Sequence, residues 1–248
     1  MKIAVAQLNS EGGKIQKNIE GHIQLIKMAV EAKADLIVFP ELSISGYEPA
    51  MAKKLATTIE DNRFEIFRQI SKNNQIIIGA GMPLKHNGSI RISMMLFHPD
   101  ETIRVYSKQF LHADEMPYFM AARSNSDILE NPKIPFSICY ELSVPQHAAD
   151  AHKNRADIYI NSSVKSRNGI KAAIDRLSEI ARQYSMMVYF ANAVGYSEGK
   201  ANAGNSSVWD RNGNLLAQLD ERREGLLIMD SETREINGIY LKEKKFPI

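Results

Sequence analysis

The chain of 248 residues carries a single cysteine, Cys139. A thiol attacks carbon only as its thiolate, so a reactive Cys139 needs a base or a cation within reach and a place where substrate can approach. Two other titratable residues share its sequence setting. Glu41 follows the apolar run Asp35 to Phe39 and Pro40, Lys108 follows the run Thr102 to Tyr106, and Cys139 closes the run that begins at Pro135. A glutamate is a base and a lysine a positive charge, so either could favour the thiolate if the fold brought it near Cys139. Each residue also has a plainer reading. A glutamate, a lysine and a cysteine after strands are individually common, and Cys139 is either buried filler or a reagent.

The elements that would have to position these residues can be read from hydrophobic spacing. Lys2 to Leu8 suits a buried strand, and Ile19, Ile23, Ile26 and Val30 recur at helical spacing after it. Asp35 to Phe39 gives a second strand that ends at Pro40, which cannot donate to a ladder. Phe64, Phe67 and Ile70 predict a helix and Gln75 to Ala80 a strand, so strands and helices alternate as in a layered α/β domain with parallel pairing. Ile92 to Phe97 and Thr102 to Tyr106 are joined by four residues, short enough for an antiparallel hairpin, which makes the sheet mixed. Pro145 is placed to open a helix. Asp157 to Ile160 reads as strand, Ile170, Ile174, Leu177 and Ala181 as one helical face, and Val188 to Ala191 as strand. The pattern then turns to short strands at Ser206 to Trp209, Leu215 to Leu219 and Leu226 to Met229, with a turn at Asp210 to Gly213. Trp209, Phe190 and Tyr189 fall on strands and are expected in the core. In open α/β sheets ligands gather outside strand ends, where Glu41, Lys108 and Cys139 all lie.

Composition narrows the function classes. Hydrophobic residues make up 44% of the chain, enough for a sizeable core without disulfides or metal clips. One cysteine excludes an internal disulfide and multi-cysteine zinc or iron–sulfur sites. The net charge of +2 arises from 31 basic and 29 acidic residues interleaved along the chain, which gives no field for a polyanion, so nucleic acid is not expected as a partner. The basic run Lys242, Lys244 and Lys245 reads as a solvated tail. No apolar run approaches membrane-spanning length and no signal-like region opens the chain, which predicts a cytoplasmic protein without membrane contact. With no linker, repeat or composition shift, residues 1–248 are expected to form one domain.

At the three candidate residues the sequence resembles the nitrilase superfamily of carbon–nitrogen hydrolases. Phe39-Pro40-Glu41 with Gly46-Tyr47 is similar to the segment bearing that family's glutamate base, Tyr106 to Leu111 to its lysine segment, and Ile138-Cys139-Tyr140-Glu141 to its cysteine segment, in matching order and spacing. Weaker similarities run from Val5-Ala6-Gln7 through Asp157, Asn192, Gly204 and Ser206 to Gly225 and Asp230, so the resemblance spans nearly the whole chain. It implies a four-layer α-β-β-α sandwich with mixed sheets, commonly paired into a homodimer, and a Glu41-Lys108-Cys139 triad needing no cofactor or metal. It further implies an oxyanion donor in the backbone N–H of Tyr140 and a second glutamate, Glu115, that positions substrate or lysine. Tyr47, His112 and Ser163 are expected to contact the substrate, His112 equally readable as an ordinary hydrogen-bonded histidine. Two departures stand out: Ser143 occupies a position where many members have arginine, and Gln183-Tyr184 stand where a Glu-Asn pair is frequent.

The expected activity is hydrolysis of a non-peptide carbon–nitrogen bond in a small amide or N-carbamoyl compound, with water as co-substrate. Nitrile hydrolysis by the same triad, acyl transfer to an amine, a Cys139-His147 dyad and a non-catalytic binding protein that keeps the fold are the alternatives.

Overall fold

The computed structural model describes residues 1–123, 129–130 and 133–246. In chain order the elements are β1 (Lys2–Gln7), α1 (Ile15–Glu31), β2 (Leu36–Val38), α2 (Ala52–Leu55), α3 (Glu65–Asn74), β3 (Ile77–His86), β4 (Ser89–Phe97), β5 (Ile103–Ser107), β6 (Leu129–Glu130), β7 (Lys133–Ile134), β8 (Phe136–Ile138), α4 (Pro145–Lys153) and β9 (Ile158–Ser163). They continue as α5 (Arg167–Tyr184), β10 (Met187–Asn192), β11 (Tyr196–Ser197), β12 (Lys200–Ala201), β13 (Ser207–Trp209), β14 (Leu215–Gln218), β15 (Arg223–Asp230) and β16 (Ile236–Lys245). Seven strands form one sheet in the order β16-β15-β1-β2-β3-β4-β5, and five form a second in the order β14-β13-β10-β9-β8. Each sheet contains a parallel trio: β1-β2-β3 has antiparallel strands on both sides, whereas β8-β9-β10 has them only beyond β10, with β8 at the sheet edge.

Strand side chains alternate between the two faces of a sheet, and that alternation builds the layers. In β1, Ile3 and Val5 pack between the sheets while Ala4 and Ala6 face α1; in β2, Leu36 and Val38 point inward and Ile37 outward. The second sheet repeats the scheme, with Ile158 and Ile160 of β9 and Met187, Tyr189 and Ala191 of β10 in the central layer. Their neighbours Tyr159, Val188 and Phe190 pack with Trp209 under α4 and α5. Three apolar layers separate four structural ones, the α-β-β-α sandwich expected from the resemblance. Trp209, Phe190 and Tyr189 are buried as expected.

Besides the short elements α2, β6, β7, β11 and β12, the β3–β4 turn and β16 escaped the sequence reading. Asn87 and Gly88, both with positive φ (47° and 76°), form the tight turn of the β3–β4 hairpin, a signal for a two-residue loop that lies outside the apolar runs. The C-terminal segment expected as a solvated tail pairs as β16 along β15. The side chains of Lys242, Lys244 and Lys245 lie outside the described residues. Among the described residues no helix is long and apolar enough to cross a membrane.

Candidate active site

Glu41 sits in the turn that follows β2, and that turn is docked onto β3. Phe39 N–H donates to the Gly79 carbonyl and Ile44 N–H to the Gly81 carbonyl, each at 2.9 Å. The approach is close enough that a Cβ on Gly81 would lie 2.4 Å from the Leu42 nitrogen, so only glycine fits there. From the opposite sheet, the Ser162 hydroxyl of β9 donates to the Phe39 carbonyl at 2.7 Å. The turn that carries Glu41 is thus held between both sheets.

Lys108 follows β5 and is fully buried. Its ammonium donates to Glu41 Oε1 at 2.7 Å and to Glu115 Oε1 at 2.6 Å. Glu115 also accepts from the Tyr47 hydroxyl at 3.0 Å and, on its other oxygen, from the backbone N–H of His112 at 2.8 Å. Buried charges persist when they are paired and hydrogen-bonded, and this trio meets that condition with one net negative charge. One atom is left over: Glu41 Oε2 is buried with no hydrogen-bond partner.

Cys139 directly follows β8 and begins a short 3-10 turn, with φ of 45°. A non-glycine residue in this left-handed region costs on the order of 1–3 kcal/mol and persists only where its surroundings hold it. The holding group is Glu141. Its Oε2 accepts from Ile138 N–H at 2.7 Å, immediately before the cysteine, and its Oε1 accepts from Gln109 N–H at 2.6 Å, immediately after the lysine. One buried carboxylate therefore ties the backbone at Lys108 to the backbone at Cys139. Behind it, the Tyr106 hydroxyl donates to Glu141 Oε2 at 2.7 Å and meets His147 Nε2 at 2.7 Å, while His147 Nδ1 meets the Tyr159 hydroxyl at 2.8 Å. With both ring nitrogens engaged by tyrosines, His147 has none left for the thiol, which removes the Cys139-His147 dyad.

Electrostatics follow from burial. Burial raises the Glu41 carboxyl above its usual range, with Lys108 opposing and Glu115 adding to the rise. Burial also raises the Cys139 thiol, helped by the Glu41 charge; Lys165 and Lys108 pull it down without reversing the shift. Burial alone would depress the Lys108 ammonium, but the negative charge of Glu41, Cys139 and Glu115 holds it well above its ordinary value. Burial pushes Glu141 up to about 7 and His147 down to about 4, so His147 is neutral near pH 7.

A cavity of about 240 Å3 opens above Cys139. Tyr47, His112, Glu115 and Tyr140 line it, whereas Glu41 and Lys108 lie beneath. His112 is exposed on the rim, pairs with Asp114 at 2.6 Å and packs edge-on against the Tyr140 ring at 5.2 Å. Ser163 is a correction. It is fully buried, and its hydroxyl donates to Asn161 Oδ1 at 2.6 Å, two residues back on the same strand face. The wall is formed instead by Val164, Lys165 and Ser166, because β9 runs three residues past the expected end at Ile160. Ser143 is exposed and outside the cavity wall, so the arginine common at that position has no counterpart here. The sequence reading missed the linking role of Glu141 and the presence of Lys165; placement directly after a strand was the signal available for Lys165.

The fold and this cluster define a hydrolase-type site with a buried carboxylate and ammonium and a part-buried thiol at strand ends. Residues 2–237 match the family model of the carbon–nitrogen hydrolases, and the chain belongs to that family. Among curated relatives, it is 25% identical over 245 residues to a glutamine-dependent NAD(+) synthetase of Aquifex aeolicus, covering 95% of this chain and 43% of that one. It is 23% identical to a hydrolase in the agr operon of Staphylococcus aureus, covering 95% and 93% of the two chains. The chain thus spans less than half of the NAD(+) synthetase it matches. Its fold is shared with an amidase from Nesterenkonia sp. AN1, solved in complex with butyramide, at a TM-score of 0.82 and 20% identity over 94% of this chain and 92% of the amidase.

Proposed function

We propose that this chain hydrolyses the carbon–nitrogen bond of small amides through a thioester on Cys139. The observation that carries the reading is the division of the Glu41 carboxylate: Lys108 holds Oε1, while Oε2 is buried without a partner. An unsatisfied buried acceptor costs about 1–3 kcal/mol, a cost that suits an atom reserved for a proton in transit. In the proposed cycle Glu41 Oε2 takes the thiol proton and the thiolate adds to the amide carbonyl carbon. Lys108 and the backbone N–H of Tyr140 face the resulting oxyanion, donors of a kind whose removal costs roughly 3–4 kcal/mol in comparable sites. Glu41 then gives its proton to the departing ammonia or amine as the carbon–nitrogen bond breaks. Water, deprotonated by the same carboxylate, cleaves the thioester and restores the thiol. Glu115 positions Lys108 and, through Tyr47, shapes the cavity wall.

The butyramide complex of the Nesterenkonia amidase supports a small amide as substrate, and the protein N-terminal amidase of Saccharomyces cerevisiae, 29% identical over 159 residues covering 58% of this chain and 33% of that one, supports amidase chemistry without speaking to substrate size. The test is ammonia release from matched panels of amides, N-carbamoyl compounds and nitriles, combined with intact-mass detection of an acyl adduct. Cys139→Ala abolishes both signals under this reading. A Cys139→Ala protein that keeps the wild-type rate, or turnover confined to nitriles, overturns it. We propose a homodimer as the working unit, and sedimentation at the monomer mass would refute that part.

A further inference from the structure

We infer that the amide substrate carries a second, anionic group, a carboxylate, received by Lys165; this rests on the hydrolytic reading of the same site. Lys165 follows β9 and lines the cavity together with Cys139. Its backbone is fixed on both sides. The Lys165 N–H donates to Asn192 Oδ1 at 2.7 Å, and the Lys165 carbonyl accepts from Ala203 N–H at 2.9 Å and Asn192 Nδ2 at 3.4 Å, with Asn192 fully buried at the end of β10. A lysine whose Cα is clamped in this way presents its ammonium to a limited part of the cavity.

That ammonium makes no ion pair or hydrogen bond among the described residues. The other charged groups of the wall are engaged differently. His112 pairs with Asp114 at 2.6 Å, Glu115 is bound to Lys108, and on the exposed rim Lys200 is the cation that acts on Glu198. The first turn of α5, which completes the wall beside Lys165 through Ser166 and Gly169, has no acidic side chain to compete for the ammonium. A Cβ on Gly169 would meet only the Lys165 side chain, at 4.0 Å, so the space there is open. An ammonium without a partner in a site that also holds the nucleophile recognises an anion on the substrate. The cavity, at about 240 Å3, lies below the usual range for drug-sized ligands, so the anion belongs to a short acyl chain. A single ammonium, a compact point charge rather than a fork of donors, suits one carboxylate. The substrate class is then a monoamide of a short dicarboxylic acid.

The alternative role for Lys165 is to balance the net negative charge of the Glu41-Lys108-Glu115 cluster, since it also acts on Glu41 and the thiol. The two roles separate by comparing succinamate with butyramide, which have acyl chains of equal length and differ by the terminal carboxylate. Calorimetric binding is measured on Cys139→Ala protein, where turnover cannot consume either amide. Succinamate is expected to bind about 10- to 100-fold more tightly, the range of a hydrogen bond to a charged group; adding Lys165→Met removes that preference and Lys165→Arg keeps most of it. Equal binding of the two amides, or a Lys165→Met change that weakens both alike, overturns the inference. Should the double variants fail to fold, inhibition of the wild-type protein decides: butanedioate must inhibit more strongly than butyrate, and equal inhibition overturns the inference. A Lys165-dependent preference in a protein that releases no ammonia from any amide would leave the subsite standing and end the hydrolytic reading instead.

Discussion

Lys108→Met removes the cation shared by two buried carboxylates while keeping a side chain of similar length. Lys108 is completely buried and bonded to Glu41 and Glu115 at 2.7 and 2.6 Å, so the substitution leaves Glu41 Oε1 without a donor and Glu115 Oε1 with the Tyr47 hydroxyl in place of an ammonium. Breaking a buried pair by deleting one partner costs about 3–5 kcal/mol, because the surviving charge stays desolvated. At roughly 2–4 °C per kcal/mol for a chain of this size, that is a fall in Tm of about 6–20 °C near pH 7.5. The loss depends on pH in a definite direction. Glu41 is already raised in the folded protein by burial, and without Lys108, the group that opposes the rise, it moves further up. A carboxyl whose folded pKa exceeds its unfolded value of about 4.3 binds more protons when folded, so its penalty is absent below the unfolded pKa, grows as pH rises between the two, and is complete above the folded pKa. The variant is therefore closest to wild type near pH 4.5 and furthest from it above neutrality. Urea unfolding followed by fluorescence of Trp209, the only tryptophan and 1% exposed, measures the difference at both pH values. Adding Glu115→Gln to Lys108→Met restores part of the stability. A loss under about 1 kcal/mol at pH 7.5, or one that does not change with pH, would refute the view that the cluster is held by charge pairing in a desolvated site.

Under the proposed cycle Glu41 is the base in its ionised form, and because burial raises its pKa, kcat/KM is expected to fall on the acid side with an inflection above the ordinary carboxylate value of about 4.3; an inflection at or below that value contradicts the proposed desolvation of the base. Glu41→Gln lowers kcat by about 10²- to 10⁴-fold, the usual contribution of a general base, and a smaller effect in steady-state kinetics would reassign the proton transfer. Glu141→Ala strands the N–H groups of Ile138 and Gln109, costing about 1–3 kcal/mol for each, and lowers kcat more than it changes KM; chemical denaturation and kinetics that match wild type would show that the link between the lysine and cysteine segments is dispensable. Gly81→Ala drives a methyl group into the Leu42 backbone and is expected to cost about 1–3 kcal/mol with a loss of activity through the Glu41 turn, which melting curves and amide turnover together would check.

Much of this architecture is legible along the chain. The strands at Lys2–Gln7, Leu36–Val38 and Met187–Asn192 stand out because buried parallel strands are continuous apolar runs, and the α1 and α5 helices because one face repeats at helical spacing. The β3–β4 hairpin and β16 were less visible, since their identity comes from a turn conformation and from an edge that only β15 supplies. Ser163 was misplaced for a local reason: the β9 alternation turns its side chain toward Asn161 and leaves the wall to Lys165.

What the amino-acid order determined by itself is the inventory: one thiol, a glutamate and a lysine, each placed directly after an apolar segment that had to be buried. Only the tertiary structure decided how these groups act on one another. Lys108 meets Glu115 seven residues on and Glu41 67 residues back, Glu141 ties Ile138 beside the left-handed Cys139 to Gln109 32 residues before it, and Glu41 Oε2 is left unpaired. Hydrogen bonds and desolvation act through space at a few ångströms, and no local pattern in the chain encodes which distant groups the packing of two sheets will bring within that range.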